Sequence, residues 1–419
     1  MNLQQVEQCI VGYVSKDSGH FVVVSDDRLF VNVLRKTLVT QLALPSNCLT
    51  VVSQERQIMR VVKEMSVRKK RLVVIIEAVL DHRRTDEFVR GIHRRVKNAK
   101  VMLLTTESQL PRLALLREEG LAEQWITKPV VINILLVKIA QLILPSGELE
   151  KLIAAAEECV AAGSYRFALR TCSRIFEMKP DSAVAYMIMG DAYRGLDMVE
   201  DMVEAYEQAA DTEEYFFDPL KRLVSYYETK KDSPGALRYL ERLDAESPLN
   251  LDRKLDIGAK HIDLGQEEDA CEVFEEAMNL IQKEELGEAY QLATRIGDVY
   301  ATRDADEAAR WYRRALRSKG RALDSSDMVI FNNLGLALRR QGRWQDAVAE
   351  YKQALVIDPR SEIIYYNLAL AYADGAKQEH AFKCAEFAMR LNSSFYKDDP
   401  VICYNLALIL SKNPEKTAE

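Results

Sequence analysis

Hydrophobic positions follow two different patterns along the chain, and the change between them falls at Pro145-Ser146-Gly147. Before that point, short runs of consecutive apolar residues alternate with longer segments of mixed polarity. Uninterrupted apolar runs predict strands buried on both faces, as in a parallel sheet with helices on both sides. The predicted strands are Phe21–Val24, Cys48–Val52, Leu72–Ile76, Val101–Leu104 and Trp125–Thr127. Residues 20–145 are therefore predicted to form a doubly wound α/β domain with a five-stranded parallel sheet.

The second half of the chain repeats small residues at a fixed period. Ala236 and Ala270 are 34 residues apart, and so are Ala347 and Ala381. Small residues at a constant phase allow two antiparallel helices to approach closely, so this period predicts stacked helical hairpins. We expect about seven hairpins over residues 149–395 and a closing helix with a tail over 396–419. The spacing of apolar residues in 1–19 predicts a leading amphipathic helix.

One copy of the repeat has small, aromatic and proline residues at characteristic offsets. It contains Leu334-Gly335, Trp344, Ala347, Tyr351, Ala354 and Pro359. This segment resembles the tetratricopeptide repeat (TPR). The resemblance implies an all-α solenoid whose first helices line a concave groove, and such grooves bind extended peptides or helices of other proteins.

Three asparagines occupy the same place in successive first helices of the predicted hairpins. Asn333, Asn367 and Asn405 each lie two residues before the small residue of their helix. Asparagine is a poor helix former, so three in register need an explanation. The resemblance implies an amide ladder that contacts a bound peptide, with Arg295 at the matching position of an earlier repeat and Arg340 nearby. The alternative is that these amides form hydrogen bonds within the stack.

Polar residues follow the predicted strands of the first domain, at the edge where doubly wound sheets have their sites. Ser25, Asp26 and Asp27 follow the first strand, Glu77 the third, Thr105 the fourth and Lys128-Pro129 the fifth. This arrangement resembles the receiver domain of two-component response regulators, which has a flavodoxin-like fold. In that family two acids hold Mg²⁺, an aspartate accepts the phosphoryl group, and Thr and Lys contact that group.

Two replacements set this chain apart from an active receiver. Ser25 stands at the first acid position, with Asp26 at the second, and Glu77 stands at the phosphoacceptor. A glutamate carboxylate reaches one methylene further, into the space of the phosphoryl group, and is poorly placed for in-line attack. We expect a receiver-like domain that is not phosphorylated, with Thr105 and Lys128 retained and Trp125 at the aromatic switch position. The alternative is atypical phosphorylation at another acid such as Asp81, with Mg²⁺ at Asp26.

Charge is distributed unevenly between the two halves. Residues 1–145 carry 22 Lys and Arg against 14 Asp and Glu, a net charge of +8, whereas residues 146–419 carry 35 against 50, a net charge of −15. A basic stretch near Arg90 predicts an acidic protein partner, including the chain's own second half. We do not expect nucleic acid, because no recognised binding motif accompanies the charge. The apolar run after Pro129 is expected to dock on the first repeat, or to pair two chains.

Other chemistry is sparse in the sequence. The 7 cysteines lack metal-ligand spacing, and we found no catalytic triad or phosphate-binding glycine loop. We also found no secretory signal and no uninterrupted apolar run of about 20 residues. We expect a cytoplasmic, non-enzymatic adaptor in signal transduction without a cofactor, monomeric or homodimeric. It would bind a protein or peptide in the repeat groove and a signalling protein at the receiver-like domain. The alternative is a response regulator with a TPR output domain, switched by phosphorylation and requiring Mg²⁺.

Overall fold

The computed structural model describes residues 3–80, 83–96, 99–143, 147–284, 288–392, 394 and 399–411. Asp81, named above as an alternative phosphorylation site, lies outside these residues. The chain divides into two compact units, residues 1–250 and 251–419. The sequence pattern changes near residue 145, but the first compact unit continues to Asn250, because contacts described below join its helical hairpins to its sheet domain.

The first unit begins with a sheet domain of alternating strands and helices. Its strands are β1 (Gly19–Val24), β2 (Leu49–Val52), β3 (Arg71–Glu77), β4 (Val79–Leu80), β5 (Arg83–Arg84), β6 (Lys100–Thr105) and β7 (Gln124–Thr127). Its helices are α1 (Leu3–Ser15), α2 (Arg28–Arg35), α3 (Glu55–Val67), α4 (Asp86–Arg95), α5 (Leu110–Glu118) and α6 (Ile132–Ile143). Five strands form a parallel sheet in the order β2-β1-β3-β6-β7, and β4 pairs with β5 separately. The predicted five-stranded parallel sheet is therefore present.

Helices cover both faces of this sheet. Alternate strand residues point to opposite faces, so Phe21 and Val23 belong to one core and Val22 and Val24 to the other. Helices α1, α2 and α6 cover the first face, while α3, α4 and α5 cover the second. The central residues of the strands are mostly apolar because helices cover both faces of the sheet.

The apolar run after Pro129 does not dock on the first repeat, contrary to the expectation from its composition. Leu135, Leu136 and Ile139 of α6 are buried in the sheet domain's own core together with Val6 and Ile10 of α1. The leading helix and the last helix of the domain thus pack side by side over one face of the sheet. Among the described helices, none alone is long and apolar enough to span a membrane, although α6 and α7 (Glu148–Ala161) together pass that test as a bent pair.

Helical hairpins make up the rest of the described chain. The hairpins of the first unit are α7 with α8 (Tyr165–Met178), α9 (Ala183–Gly195) with α10 (Val199–Thr212), and α11 (Asp218–Thr229) with α12 (Ser233–Glu246). Those of the second unit are α13 (Leu251–Asp263) with α14 (Glu267–Glu284), α15 (Ala289–Tyr300) with α16 (Ala305–Lys319), α17 (Met328–Arg340) with α18 (Trp344–Ile357), and α19 (Glu362–Asp374) with α20 (Gln378–Leu391), followed by α21 (Pro400–Ser411).

Close packing within the hairpins depends on small residues in the first helix. Gly335 of α17 faces the buried ring of Tyr351 in α18, and a Cβ at Gly335 would overlap that ring. Gly258 of α13 faces Phe274 of α14 in the same way, two hairpins earlier. The glycine of the repeat motif, Gly335, is therefore a point of close approach between the two helices.

Candidate functional site

The first helices of the last hairpins lie side by side, joined by the predicted asparagines. Asn367 Nδ2 donates to Asn332 Oδ1 of the preceding first helix, and Asn405 Nδ2 donates to the hydroxyl of Tyr366 at 3.0 Å. Asn333 Nδ2 likewise lies 3.4 Å from Oδ1 of Asp298, which belongs to the preceding first helix, α15. Each amide therefore makes a hydrogen bond within the stack, which is the alternative that the sequence left open.

The two arginines expected near the groove also contact neighbouring helices of the second unit. Arg295 Nη1 lies 2.6 Å from Asp252 Oδ1, and Arg340 Nη1 donates to the carbonyl of Ala301 at 2.5 Å. Arg295 remains half exposed in this arrangement. These contacts tie successive first helices together and leave the side chains at the surface.

Aliphatic side chains, which sequence analysis did not single out, occupy the same face. Val329, Ile363 and Val401 each lie one helical turn before the asparagine of their helix, so they share its side of the helix. Their exposed fractions are 63%, 50% and 66%. Leu336, Leu370 and Leu408 lie three residues after the same asparagines. Leu336 and Leu408 are 38% and 45% exposed, whereas Leu370 is partly buried against the core of its own hairpin. We call these six residues the aliphatic stripe.

The stripe crosses three neighbouring helices. Because the amide bonds place Asn367 beside Asn332 and Asn405 beside Tyr366, equivalent residues of α17, α19 and α21 align across the stack. Exposed apolar residues scattered singly are ordinary, whereas five exposed ones in register on one surface form a candidate binding surface. The stripe could have been found from the sequence, since each of its residues lies at a fixed offset from a small residue of the repeat.

At the carboxyl edge of the sheet, the side chain of Glu77 is fully engaged. Its Oε2 lies 2.9 Å from Lys128 Nζ, and its Oε1 accepts a hydrogen bond from the hydroxyl of Ser25. Ser25 is 2% exposed and Glu77 is 8% exposed. Ser25 and Glu77 therefore contact each other directly.

Of the two aspartates after β1, only Asp27 joins this cluster. Asp27 Oδ2 lies 3.5 Å from Lys128 Nζ, and its Oδ1 accepts from the backbone N–H of Phe30 at the start of α2. That backbone hydrogen bond, with the Lys128 charge, holds the pKa of Asp27 below its usual value. Asp26, the expected second acid, is exposed instead. The turn that caps α2 directs Asp27 toward Lys128.

Thr105 and the backbone of Lys128 lie on neighbouring strands at this edge. Thr105 is 1% exposed, and its carbonyl accepts from the backbone N–H of Lys128 at 2.8 Å. Within the part of the chain that the structure describes, no group of three or more His, Cys, Asp and Glu side chains is placed to hold a metal ion.

Trp125 contacts a helical hairpin of the first unit. Its ring meets Tyr215 edge to face, with centroids 5.6 Å apart, in the loop between α10 and α11. Lys138 Nζ lies 4.7 Å and Arg117 Cζ 5.2 Å from the Trp125 ring centroid. Burial lowers the pKa of Lys138. The arrangement combines aromatic and cation–π contacts at one surface of the sheet domain.

A nearly buried carboxylate extends this contact. Glu118, at the end of α5, has a side chain only 7% exposed and lies 3.7 Å from Lys221 Nζ of α11. The hydroxyl of Ser247, just after α12, donates to Glu118 Oε2 at 3.0 Å. Arg117 Nη2 lies 3.8 Å from Glu213. We call the contacts of Arg117, Glu118 and Trp125 with the second and third hairpins the sheet–hairpin interface.

One protein-family model matches a segment of the second unit. Residues 335–375 match the family model described as a TPR repeat. Similar solved structures include the MamA protein, with 21% identity over 44% of this chain and 95% of that chain and a TM-score of 0.32. A tetratricopeptide repeat protein from Parabacteroides merdae has 16% identity over 62% and 98% of the two chains, with a TM-score of 0.32.

A third solved structure, a putative kinesin light chain from Podosopora anserina with nearly identical TPR-like repeats, has 17% identity over 43% and 95% of the two chains, with a TM-score of 0.33. No curated protein matches the chain.

Proposed function

We propose that this chain is a non-enzymatic adaptor that binds a protein or peptide along the aliphatic stripe of its second unit. The observation that carries the proposal is the alignment of exposed aliphatic side chains across α17, α19 and α21. Completely burying one such side chain stabilises a complex by up to about 1.5–3 kcal/mol, so several together supply enough free energy for specific binding.

The stripe favours a partner segment with apolar side chains over a purely polar one. Each asparagine amide donates one hydrogen bond within the stack, and these bonds hold the first helices in register. The other hydrogen-bonding groups of the amides add hydrogen bonds at the edge of a bound segment. Beside the stripe, Arg339 forms an ion pair with Asp374 at 2.6 Å. This pair gives the stripe a polar border whose charges neutralise each other. An apolar centre with a polar border is the usual anatomy of a protein interface.

For the first unit we propose a receiver-like domain that does not accept a phosphoryl group. The strand order β2-β1-β3-β6-β7 is the order of flavodoxin-like folds, which supports this fold. Glu77 is held by Ser25 and Lys128, so the position of a phosphoacceptor is occupied by an ion pair. In this proposal the domain acts as a docking module for a signalling protein, in the cytoplasm and without a cofactor.

The binding proposal is tested by capture from a lysate of the source cells with matched variants. Ile363→Glu combined with Val401→Glu introduces two charges into the stripe. Val356→Glu is the matched control, because Val356 is 82% exposed but lies on α18, a second helix. We expect specific proteins captured by the wild-type chain to be lost with the double variant and kept with the control. Equal capture by all three chains would contradict the proposal.

The alternative, a response regulator switched by phosphorylation, is tested with a small acyl phosphate donor and Mg²⁺. We expect intact-mass measurement to find no added phosphoryl group. A stable phosphoaspartate that disappears in Asp26→Ala or Asp27→Ala would establish the alternative, with Mg²⁺ held at that aspartate.

A further inference from the structure

A groove between α3 and α4 forms an open cavity on the sheet domain, away from the sheet–hairpin interface. Its volume is about 610 Å³, within the range of ligand-binding clefts. Its floor includes Met59, and the facing residue of α4 is Gly91, where a Cβ would lie 3.4 Å from the Met59 sulfur. A side chain at position 91 would therefore pack against Met59.

Positive charges along this groove lack acidic partners. Arg60 and Lys63 of α3 and Arg95 of α4 are exposed, and none forms an ion pair with another residue that the structure describes. The groove lining also includes Arg68 and Glu64, which pair with each other at 2.6 Å, and Arg90 elsewhere on α4 lies 2.8 Å from Glu119. The groove therefore presents three uncompensated cations, which attract an acidic ligand.

The groove also exposes apolar surface. Val67 is 76% exposed, and it lies eight residues after Met59, about 12 Å along the helix. A nucleic-acid backbone gains nothing by covering an aliphatic side chain, whereas the apolar face of an amphipathic helix does. The combination of aliphatic floor and cationic border thus favours an acidic helix over a nucleic acid.

We propose that the α3–α4 groove binds an acidic amphipathic helix of a partner protein. Apolar side chains two helical turns apart, about 10.5 Å, cover Met59 and Val67. Acidic side chains on the two flanks of that helix pair with Arg60 and Lys63 on one border and with Arg95 on the other. Because this groove belongs to the first unit and the aliphatic stripe to the second, the chain joins two different partners.

The proposal is tested with the full-length chain and a synthetic probe. The probe is a fluorescein-labelled helical peptide of about five turns, with leucines seven residues apart and glutamates on both flanks. We expect saturable fluorescence anisotropy with a Kd of about 1–100 μM at low salt, weakening as salt screens the charges. No saturable binding would overturn the proposal.

Variants locate the binding. Lys63→Glu with Arg95→Glu is expected to weaken binding at least about tenfold, and Val67→Ser severalfold. Arg35→Glu with Lys36→Glu makes the same change in net charge on exposed residues outside the groove, and should leave the Kd unchanged. Far-UV circular dichroism verifies that each variant is folded. Equal weakening by both double variants would refute a site in the groove.

Two further probes separate the partner classes. A peptide with alanines in place of the leucines should bind at least about tenfold more weakly, since it keeps the charge but loses the apolar contact. A single-stranded oligonucleotide should bind more weakly than the acidic peptide and be insensitive to Val67→Ser. Tighter oligonucleotide binding that Lys63→Glu with Arg95→Glu abolishes would overturn the proposal in favour of nucleic acid.

Discussion

Glu77 and Lys128 form an ion pair at the carboxyl edge of the sheet, with 2.9 Å between Oε2 and Nζ. Ser25 completes the arrangement by donating to the other carboxylate oxygen. A pair that is removed from water and also hydrogen-bonded stabilises a fixed geometry, whereas either partner alone is costly to bury. This edge of the domain is therefore expected to have one stable state.

Removing the charge of Glu77 tests that expectation. Glu77→Gln leaves Lys128 with only the more distant Asp27, so we expect the free energy of unfolding to fall by about 1–3 kcal/mol. Denaturant unfolding followed by circular dichroism measures the change. Glu64→Gln is the control, since its ion pair with Arg68 is exposed and contributes about 0.5 kcal/mol or less. Equal losses in the two variants would contradict a structural role for Glu77.

The sheet–hairpin interface predicts local protection of the loop after α10. Tyr215→Ser removes the aromatic contact with Trp125, and we expect a loss of about 1–2 kcal/mol together with faster hydrogen exchange at residues 213–217. Phe167→Ser is a suitable control, because Phe167 is 63% exposed in the first hairpin. Unchanged exchange in Tyr215→Ser would mean that the contact does not hold the loop.

His20 predicts a dependence of stability on pH. Burial, with the nearby charges of Lys70 and Arg68, lowers the pKa of His20, which bonds to Thr50 Oγ1 at 2.8 Å across β1 and β2. The unfolded chain therefore binds a proton more readily, so stability falls as pH drops below about 6.5. Denaturant unfolding at pH 7.5 and 5.5 measures this, and His20→Gln should show a smaller difference. The same pH dependence in the variant would exclude His20 as its source.

The asparagines of the second unit are predicted to affect stability more than binding. Asn367→Ala and Asn405→Ala each remove a hydrogen bond between first helices and should cost about 0.5–1.5 kcal/mol. Partner capture should decrease less than with Ile363→Glu and Val401→Glu. The reverse order of effects would restore the amide ladder as the principal binding feature.

Close helix approach predicts a cost for adding one methyl group. Gly335→Ala places a Cβ against the buried Tyr351 ring, and we expect a loss of about 1–3 kcal/mol despite the better helix propensity of alanine. Gly12→Ala in α1 has no neighbouring atom within 4 Å and should be neutral or stabilising. Thermal unfolding of the two variants gives the comparison.

Local patterns in the sequence predicted the elements well, because their causes are local. The apolar runs became strands since both sheet faces are covered, and the glycine of the repeat motif, Gly335, became a contact with an aromatic ring. Contacts between residues that are far apart in the chain produce no such local pattern in the sequence. Trp125 meets Tyr215, and α6 packs on α1 instead of the first repeat.

The candidate site was predicted only in part for the same reason. The register of Asn333, Asn367 and Asn405 was visible, but their hydrogen-bond partners depend on how neighbouring hairpins stack. The aliphatic stripe was overlooked because valine and leucine in a helix usually belong to a core. Asp26 was expected as the second acid, but Asp27 is the aspartate that lies near Lys128, because its side chain caps α2.

The bonds of Glu118 to Lys221 and Ser247 limit how this chain can evolve. Repeat proteins gain and lose units by duplication and deletion, because each unit touches only its neighbours. Deleting or duplicating a hairpin between the sheet domain and Ser247 would move Lys221 and Ser247 away from Glu118. The buried Glu118 carboxylate would then have lost its partners. Related chains should therefore differ in the number of hairpins beyond residue 250 and keep three before it.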